Sequence, residues 1–177
     1  MAGLPLEPAQ AEVTRRYWSA VFAAKGSGPA QSPRPKLLPA TILGWTDATQ
    51  RLLDGVNRHV NQAILEQDDQ TTYGVADYWA IPSLTGRDHY GDCEDYVLMK
   101  RRDLIAAGVA PEALFISLVE TREHTPHAVL LVATDRGEMV LDSLTPWIVG
   151  WRDAPYTWLQ RQVPGDAFDW VKPAIAH

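Results

Sequence analysis

The chain has 177 residues, of which 46% are apolar and 21% charged, as is typical of one globular domain. Its net charge is −6 and it has no basic cluster, so neither a nucleic-acid partner nor an anionic membrane surface is expected. No apolar run reaches the length of about 18 residues that a membrane span requires. We therefore expect a single domain over residues 1–177 without membrane insertion.

The chain contains one cysteine, Cys93, so it forms no internal disulfide and cysteine usage does not identify the redox compartment. A single thiol is either a buried small side chain or a reactive group. Residues 1–8 show no signal-peptide pattern. A cytoplasmic location and export with a trimmed leader therefore both stay open.

The predicted elements begin with helices. Apolar residues recur at helical spacing over residues 8–25, and a Pro- and Gly-rich loop or arm over residues 26–39 follows. A second helix begins after Thr46, which is a predicted N-cap. Its apolar stripe, which is expected to pack on the core, consists of Leu52, Val56, Val60 and Ile64. Residues 70–91 are predicted to be irregular.

A third helix is predicted over residues 93–107, with Gly108 as its C-terminal stop. Its successive apolar residues leave no polar, solvent-exposed face, so we predict that it is the central, buried helix. Strands follow over residues 114–121, 127–133 and 139–142. The middle strand is apolar on both faces and is expected inside the sheet. Helices followed by an antiparallel sheet indicate an α+β fold.

The sequence Gly-Asp-Cys-Glu-Asp-Tyr at residues 91–96 places Cys93 in the first turn of the predicted central helix. There the helix dipole and unpaired N–H groups favour a thiolate. The same N–H groups can stabilise the oxyanion that forms when a thiolate attacks a carbonyl carbon. The alternative is that Cys93 only fills space behind an N-cap Asp92, since free cysteine is among the most buried residue types.

The last two predicted strands offer a base and an orienting acid. If a four-residue loop pairs Ala133 with Glu138, then Asp142 lies opposite Val129 and on the same face as His127. Diagonal neighbours on one face lie about 7–8 Å apart by backbone, within reach of these side chains. A three-residue loop would instead put the two side chains on opposite faces.

With that register, Cys93, His127 and Asp142 provide a nucleophile, a proton carrier and a carboxylate that holds the tautomer. His89 and His124 are the alternative bases if the turn has another geometry. The combination of one helix-borne thiol with a His and Asp pair predicts a cysteine hydrolase.

The carboxylates beside Cys93 raise the pKa of a thiol, and a bound cation would offset them. Asp92 and Glu94 flank Cys93, and with backbone carbonyls of residues 86–91 they favour calcium, which prefers oxygen ligands. A solvated helix start explains the same residues. Zinc is the alternative metal, although its possible ligands match no standard spacing; they are His89, Cys93, His124 and His127.

Two further motifs accompany these residues. Val56-Asn57-x-x-Val60-Asn61 lies upstream, and Asp77-x-Trp79-x-x-Pro82 lies between it and Cys93. Together with Gly-Asp-Cys-Glu-Asp-Tyr, His-Ala-Val-Leu and Val-Leu-Asp, they resemble the bacterial transglutaminase-like cysteine proteinase family over residues 45–162. The resemblance implies a papain-like or transglutaminase-like fold in which a central helix packs on an antiparallel sheet. It also implies a triad of Cys93, His127 and Asp142, with calcium at Asp92 and Glu94.

Members of the LapG type are periplasmic proteases that cut the N-terminal region of large surface adhesins and release biofilm cells. An inner-membrane receptor that senses cyclic di-GMP restrains them. The resemblance therefore implies a periplasmic location, a protein substrate of the adhesin type and such a receptor as partner.

The leading hypothesis is a calcium-dependent cysteine peptidase that hydrolyses a peptide bond through an acyl-enzyme. One rival is an acyltransferase or amidase, because an amine can intercept the same intermediate. The other is a non-catalytic module that keeps the fold and binds calcium. A labelled-amine assay distinguishes the first rival, and a Cys93 thiol that titrates near the free value of about 8.5 would favour the second.

Overall fold

The computed structural model describes residues 41–82 and 89–163, together with the backbone of two strands near the chain ends. The helix predicted over residues 8–25 and the arm at 26–39 lie outside the described residues, and the single domain over 1–177 stays a prediction. The helices are α1 Asp47–Ala63, α2 Asp69–Tyr73, α3 Cys93–Ala106 and a 3-10 turn at Pro111–Ala113. The strands are β1 Leu4–Pro5, β2 Leu65–Glu66, β3 Ala80–Ile81, β4 Tyr90–Gly91, β5 Leu114–Glu120, β6 Pro126–Thr134, β7 Gly137–Leu141, β8 Val149–Gly150, β9 Thr157–Val163 and β10 Asp166–Val171.

The main sheet has the strand order β10-β9-β5-β6-β7-β8, and each neighbouring pair is antiparallel. The predicted middle strand β6 lies inside this sheet, between β5 and β7, as its apolar faces indicate. The α+β class is thereby confirmed. Two small sheets, β1 with β3 and β2 with β4, lie outside the main sheet.

The turn between β6 and β7 sets the register in which these two strands pair. Ala133 pairs with Glu138, as predicted, and Thr134 pairs with Gly137 as well, so the loop has two residues rather than four. Gly137 has φ 101°, a left-handed conformation that glycine adopts without a Cβ clash. The extra pair changes the loop length but not the register of the two strands.

Helix α1 begins where the sequence predicts, because the Thr46 side chain accepts a hydrogen bond from the Thr49 N–H at 3.1 Å. Its buried face differs in part from the predicted stripe: Leu53 and Asn57 are fully buried with Val60, whereas Leu52 and Val56 are only half-buried. A strict spacing of four residues drifts around a helix with about 3.6 residues per turn. All four predicted residues nevertheless pack on the core, with Leu52 and Val56 at its edge.

Helix α3 is the buried central helix that the sequence predicts. It ends at Ala106, one residue before the predicted end, and Gly108 follows with φ 93°. The helix packs against α1 on one side and against β6 on the other. One apolar cluster joins the three elements through Leu53, Val97, Leu104 and Leu130.

The segment predicted to be irregular contains more structure than its composition indicates. The one-turn helix α2 begins after Asp68, whose side chain accepts a hydrogen bond from the Thr71 N–H at 2.7 Å. The strands β3 and β4 also fall in this segment, while residues 83–88 lie outside the described part. Elements of two to five residues are too short to show periodicity in a sequence. None of the helices in the described ranges is long and apolar enough to cross a bilayer.

Candidate active site

A buried histidine and aspartate meet at the end of the β6–β7 ladder. His127 is 4% exposed at the start of β6, and Asp142 is 2% exposed just after β7. His127 Nε2 lies 2.7 Å from Asp142 Oδ1, which is hydrogen-bond distance. The structure therefore brings together the two side chains that the register argument predicts to be diagonal neighbours.

Three donors converge on the Asp142 carboxylate. Oδ1 accepts the Leu144 N–H at 3.0 Å as well as the imidazole, and the Tyr156 hydroxyl donates to Oδ2. Burial raises the pKa of Asp142, but the bonds from His127, Tyr156 and Leu144 outweigh it and hold that pKa below its ordinary value. Asp142 is therefore ionised at neutral pH. It can only accept, so in the neutral imidazole the proton lies on His127 Nε2 and the lone pair on Nδ1.

Tyr156 is a site residue that the sequence analysis missed. It lies in the loop before β9, and its ring centroid is 5.8 Å from that of His127. Tyr156 follows Asp142 by 14 residues, and the tertiary fold brings its hydroxyl to the carboxylate. Neither periodicity nor a local motif marks this tyrosine, so its sequence context carries no signal for the role.

Cys93 is the first residue of α3 and is half-buried. It lines a cleft of about 640 Å³ that His127 also lines, so the thiol and the imidazole open onto the same space. Ala128 directly follows His127, and a hydrogen bond from its backbone N–H to the Cys93 sulfur lowers the pKa of the thiol. These contacts bring the helix-borne thiol to the start of β6, as predicted.

Burial and the neighbouring carboxylates favour the thiol form of Cys93 over the thiolate. Burial raises the pKa of Cys93 well above its ordinary value, and the charges of Glu94 and Asp92 raise it further. The thiol donates a hydrogen bond to Glu94 Oε2 at 3.2 Å. Burial together with the two carboxylates therefore holds Cys93 in the thiol form.

Asp92 and Glu94, the predicted metal ligands, belong to a larger group of carboxylates. Combinations of Asp69, Asp77, Asp92, Cys93, Glu94 and Asp95 place potential ligand atoms within 4.8 Å of one another. Asp92 occupies the N-cap position of α3, yet its side chain makes no capping bond. An N-cap role alone therefore does not account for Asp92.

Burial raises the pKa of Asp69 to about 7 and that of Asp95 to about 8, and the charge of Asp92 adds to both shifts. Like charges crowd here, and a cation would relieve the crowding. Asp95 also explains the glycine at position 91, because a Cβ there would lie 2.6 Å from Asp95 Oδ2. Asp69 and Asp95 were not predicted as ligands from the sequence, and Asp77 was noted there only as part of a motif.

The donor set fits a hard cation better than zinc. Asp69 Oδ1, Asp92 Oδ1 and Asp95 Oδ2 are buried oxygens that no described group satisfies by a hydrogen bond. Carboxylate oxygens are the ligands that calcium prefers. Among the described residues, no group of potential metal ligands includes a histidine, so the zinc alternative has no support. His124 instead bonds Glu120 at 2.7 Å and is exposed, which also disfavours it as the base.

A cysteine at a helix start shares a cleft with a histidine that bonds an aspartate on the antiparallel sheet, an arrangement suited to thiol-dependent hydrolysis or acyl transfer. The sequence profile of the bacterial transglutaminase-like cysteine proteinases matches residues 36–176, and the chain belongs to this family of cysteine peptidases. None of the curated proteins compared with the chain matches it.

Solved structures of Legionella pneumophila LapG are similar to this chain. The calcium-bound form is 27% identical over 64% of this chain and 64% of its own, with a TM-score of 0.55. The EGTA-treated form is 19% identical and covers 88% of this chain and 75% of its own, with a TM-score of 0.54. A third LapG structure is 20% identical, covers 88% and 77%, and has a TM-score of 0.53. These similarities confirm the transglutaminase-like fold.

Proposed function

We propose that the chain is a calcium-dependent cysteine peptidase in which Cys93 is the nucleophile, His127 the general base and Asp142 the orienting acid. The observation that carries the proposal is the 2.7 Å bond between His127 and Asp142 at the wall of the cleft that Cys93 lines. The bond fixes the imidazole tautomer whose free nitrogen can take a proton from a thiol. Cleavage of peptides by the wild-type protein, and none by the Cys93→Ala variant, is the test.

In this mechanism His127 Nδ1 takes the proton of the Cys93 thiol as the sulfur attacks a peptide carbonyl carbon. Backbone N–H groups in the first turn of α3 stabilise the oxyanion. The imidazolium then gives its proton to the leaving amine, the C–N bond breaks and a thioester forms. His127 next removes a proton from water, whose oxygen attacks the thioester carbon. The C–S bond breaks, the acid leaves, and the imidazolium returns the proton to the Cys93 sulfur. Asp142 stays ionised throughout and stabilises the imidazolium.

Calcium fits the group of carboxylates around Cys93. Asp92 and Glu94 would hold it, together with Asp69, Asp77 and Asp95, because ligand atoms of these groups lie within 4.8 Å of one another in overlapping sets of three. Three of the groups, Asp69, Asp92 and Asp95, each have a buried oxygen without a hydrogen-bond partner among the described residues. When bound, the ion supplies positive charge that offsets the carboxylates and lowers the pKa of the Cys93 thiol. A LapG structure with bound calcium, at 27% identity, supports this assignment.

Calcium is expected to stabilise the folded protein. At a free concentration of one hundred times Kd, a ligand that binds only the folded state adds about 2.7 kcal/mol. For a chain of this length, that raises Tm by about 5–10 °C relative to EGTA. Differential scanning fluorimetry with calcium, magnesium and EGTA measures the shift, and Asp92→Asn with Glu94→Gln should abolish it. The matched control is Glu66→Gln, because Glu66 lines the same cleft but does not belong to the carboxylate group. Equal Tm values in calcium and EGTA would refute the metal site.

Tyr156→Phe is expected to lower activity on the acid side of the pH profile. The hydroxyl bond holds the pKa of Asp142 down, so its loss raises that pKa. A hydrogen bond to a charged group is worth about 1.5–3 kcal/mol, which corresponds to one to two pH units. The acid limb of kcat/KM should therefore move to higher pH.

The matched control for Tyr156→Phe is Tyr96→Phe. The Tyr96 hydroxyl also makes a buried bond, to the Ile64 carbonyl at 2.9 Å, but it does not contact Asp142. Tyr96→Phe should lower stability and leave the pH profile in place. Identical acid limbs in the wild-type protein and Tyr156→Phe would contradict the role given to Tyr156.

We further propose an adhesin as the substrate, a periplasmic location and restraint by an inner-membrane receptor that senses cyclic di-GMP. Family membership and the similarity to LapG support these proposals. N-terminal fragments of large adhesins from the same genome, incubated with wild-type protein or Cys93→Ala, test the substrate. Cleavage at one site by the wild-type protein alone supports it. Intact fragments alongside cleavage of other proteins would overturn the adhesin proposal but not the peptidase activity.

A further inference from the structure

Two asparagines of α1 hold the segment that follows β7. Asn57 and Asn61 lie one turn apart and therefore on the same face of the helix. Asn61 Nδ2 donates to the Asp142 carbonyl at 2.8 Å and to the Thr145 carbonyl at 3.2 Å. Asn57 Nδ2 donates to the same Thr145 carbonyl at 3.1 Å. Both ends of the stretch from Asp142 to Thr145 are thus tied to α1.

The same stretch supplies part of the hydrogen bonding of the Asp142 carboxylate. Leu144, in its middle, donates its N–H to Asp142 Oδ1. A shift of the stretch would therefore move both the backbone that carries Asp142 and a donor that holds its side chain. Such a shift would misalign the carboxylate with His127.

Each amide leaves a buried oxygen without a hydrogen-bond partner. Asn57 Oδ1 and Asn61 Oδ1 make no bond to any described group. Asn57 is fully buried, so its oxygen does not reach bulk solvent. Buried polar atoms of this kind are usually satisfied by protein groups or by an ordered water. A donor is therefore expected between α1 and the element that packs against it.

Lys100 of α3 is the candidate donor. It is fully buried, and its Nζ makes no hydrogen bond to any described residue. Helices α1 and α3 pack against each other, and the Tyr96 hydroxyl of α3 bonds the Ile64 carbonyl at the C-terminal end of α1. Lys100 lies one turn beyond Tyr96 on α3, and its Nζ is 5.9 Å from the centre of the Tyr96 ring. The Lys100 ammonium also lies within the electrostatic reach of Asp142.

We propose that Lys100, Asn57 and Asn61 form a water-bridged polar layer that positions Asp142 against His127. A buried water makes about three hydrogen bonds, and one amine with two amide oxygens offers that number. The bridge fixes both amides in the orientation that directs their Nδ2 groups to the two carbonyls. The three side chains are positioning residues, because they act on the site through Asp142. The proposal rests on the roles given above to His127 and Asp142.

The test compares Lys100→Met and Asn61→Leu, which remove the donor and one amide at similar volume. Val60→Ala is the matched control, because Val60 is fully buried between the two asparagines and contributes only packing. The first readout is the downfield proton resonance of His127 Nε2–H, which is assigned by its loss in Asp142→Asn. The second readout is the kinetics of peptide cleavage.

Both test variants should shift the imidazole resonance or broaden it by faster exchange with water, and lower kcat about tenfold or more at unchanged KM. Val60→Ala should lower stability and keep both readouts. If Lys100→Met does not fold, Asn61→Leu decides alone. The proposal is overturned if the test variants fold and keep the wild-type resonance. It is also overturned if Val60→Ala shifts the resonance as much as the test variants do. If wild-type protein cleaves nothing, the peptidase proposal fails, and the resonance still decides the positioning.

Discussion

Replacement of Cys93 by alanine is expected to lower kcat for peptide cleavage by more than about 10³-fold. The variant removes the atom that would form the thioester, and no other cysteine in the chain can replace it. Catalysis by the remaining oxyanion donors and by binding alone is small. Steady-state kinetics on a cleaved peptide, with intact-mass analysis of the enzyme, measure the effect.

The fold should survive this replacement, because Cys93 is half-buried and lies at the edge of the apolar cluster. Circular dichroism and chemical denaturation provide the control, and the free energy of unfolding should change by no more than about 1 kcal/mol. A folded Cys93→Ala protein that retains the wild-type kcat would rule out Cys93 as the nucleophile.

Asp142→Asn is expected to lower kcat by about 10⁴-fold while keeping the shape of the side chain. Three donors converge on the carboxylate, from His127, Leu144 and Tyr156. An amide presents an NH₂ group that competes with them. The neutral imidazole can then bond the amide with the proton on Nδ1, and in that tautomer His127 cannot take a proton from Cys93.

The same variant should also lower stability at neutral pH. The amide weakens the hydrogen bonds that the buried carboxylate accepts, and one hydrogen bond to a charged group is worth about 1.5–3 kcal/mol. The pKa of Asp142 is below its ordinary value in the folded state, so its stabilising effect is complete above that ordinary value and is lost as pH falls through the folded pKa. The difference in unfolding free energy between the wild-type protein and Asp142→Asn should therefore narrow only below about pH 4. A difference that is constant down to strongly acid pH would contradict an ionised Asp142.

The part of the site that could be predicted from sequence depends on regular periods. Side chains alternate along a strand, so the pairing of Ala133 with Glu138 was enough to place His127 and Asp142 on one face. The predicted loop was two residues too long, yet the register is the same. Cys93 at the start of α3 followed from a glycine-containing loop before a long apolar run.

The rest of the site depends on tertiary contacts between irregular segments. Tyr156 reaches Asp142 from a loop, and Asp69 reaches the carboxylate group from a one-turn helix that was predicted to be irregular. Asn57 is polar and was therefore left out of the predicted buried stripe, although it is fully buried. Its burial is explained by a hydrogen bond to a carbonyl 88 residues along the chain. Hydrophobic patterning does not encode such a partner.

The pH dependence of Cys93 alkylation by iodoacetamide, with calcium present, tests the central proposal most directly. The reaction reports on one sulfur, because the chain has a single cysteine. In wild-type protein, proton transfer to His127 should keep the alkylation rate high well below the free thiol pKa of about 8.5. In His127→Ala, the rate should rise only above that value. Superimposable profiles that rise at or above pH 8.5 in both proteins would contradict the pairing of Cys93 with His127.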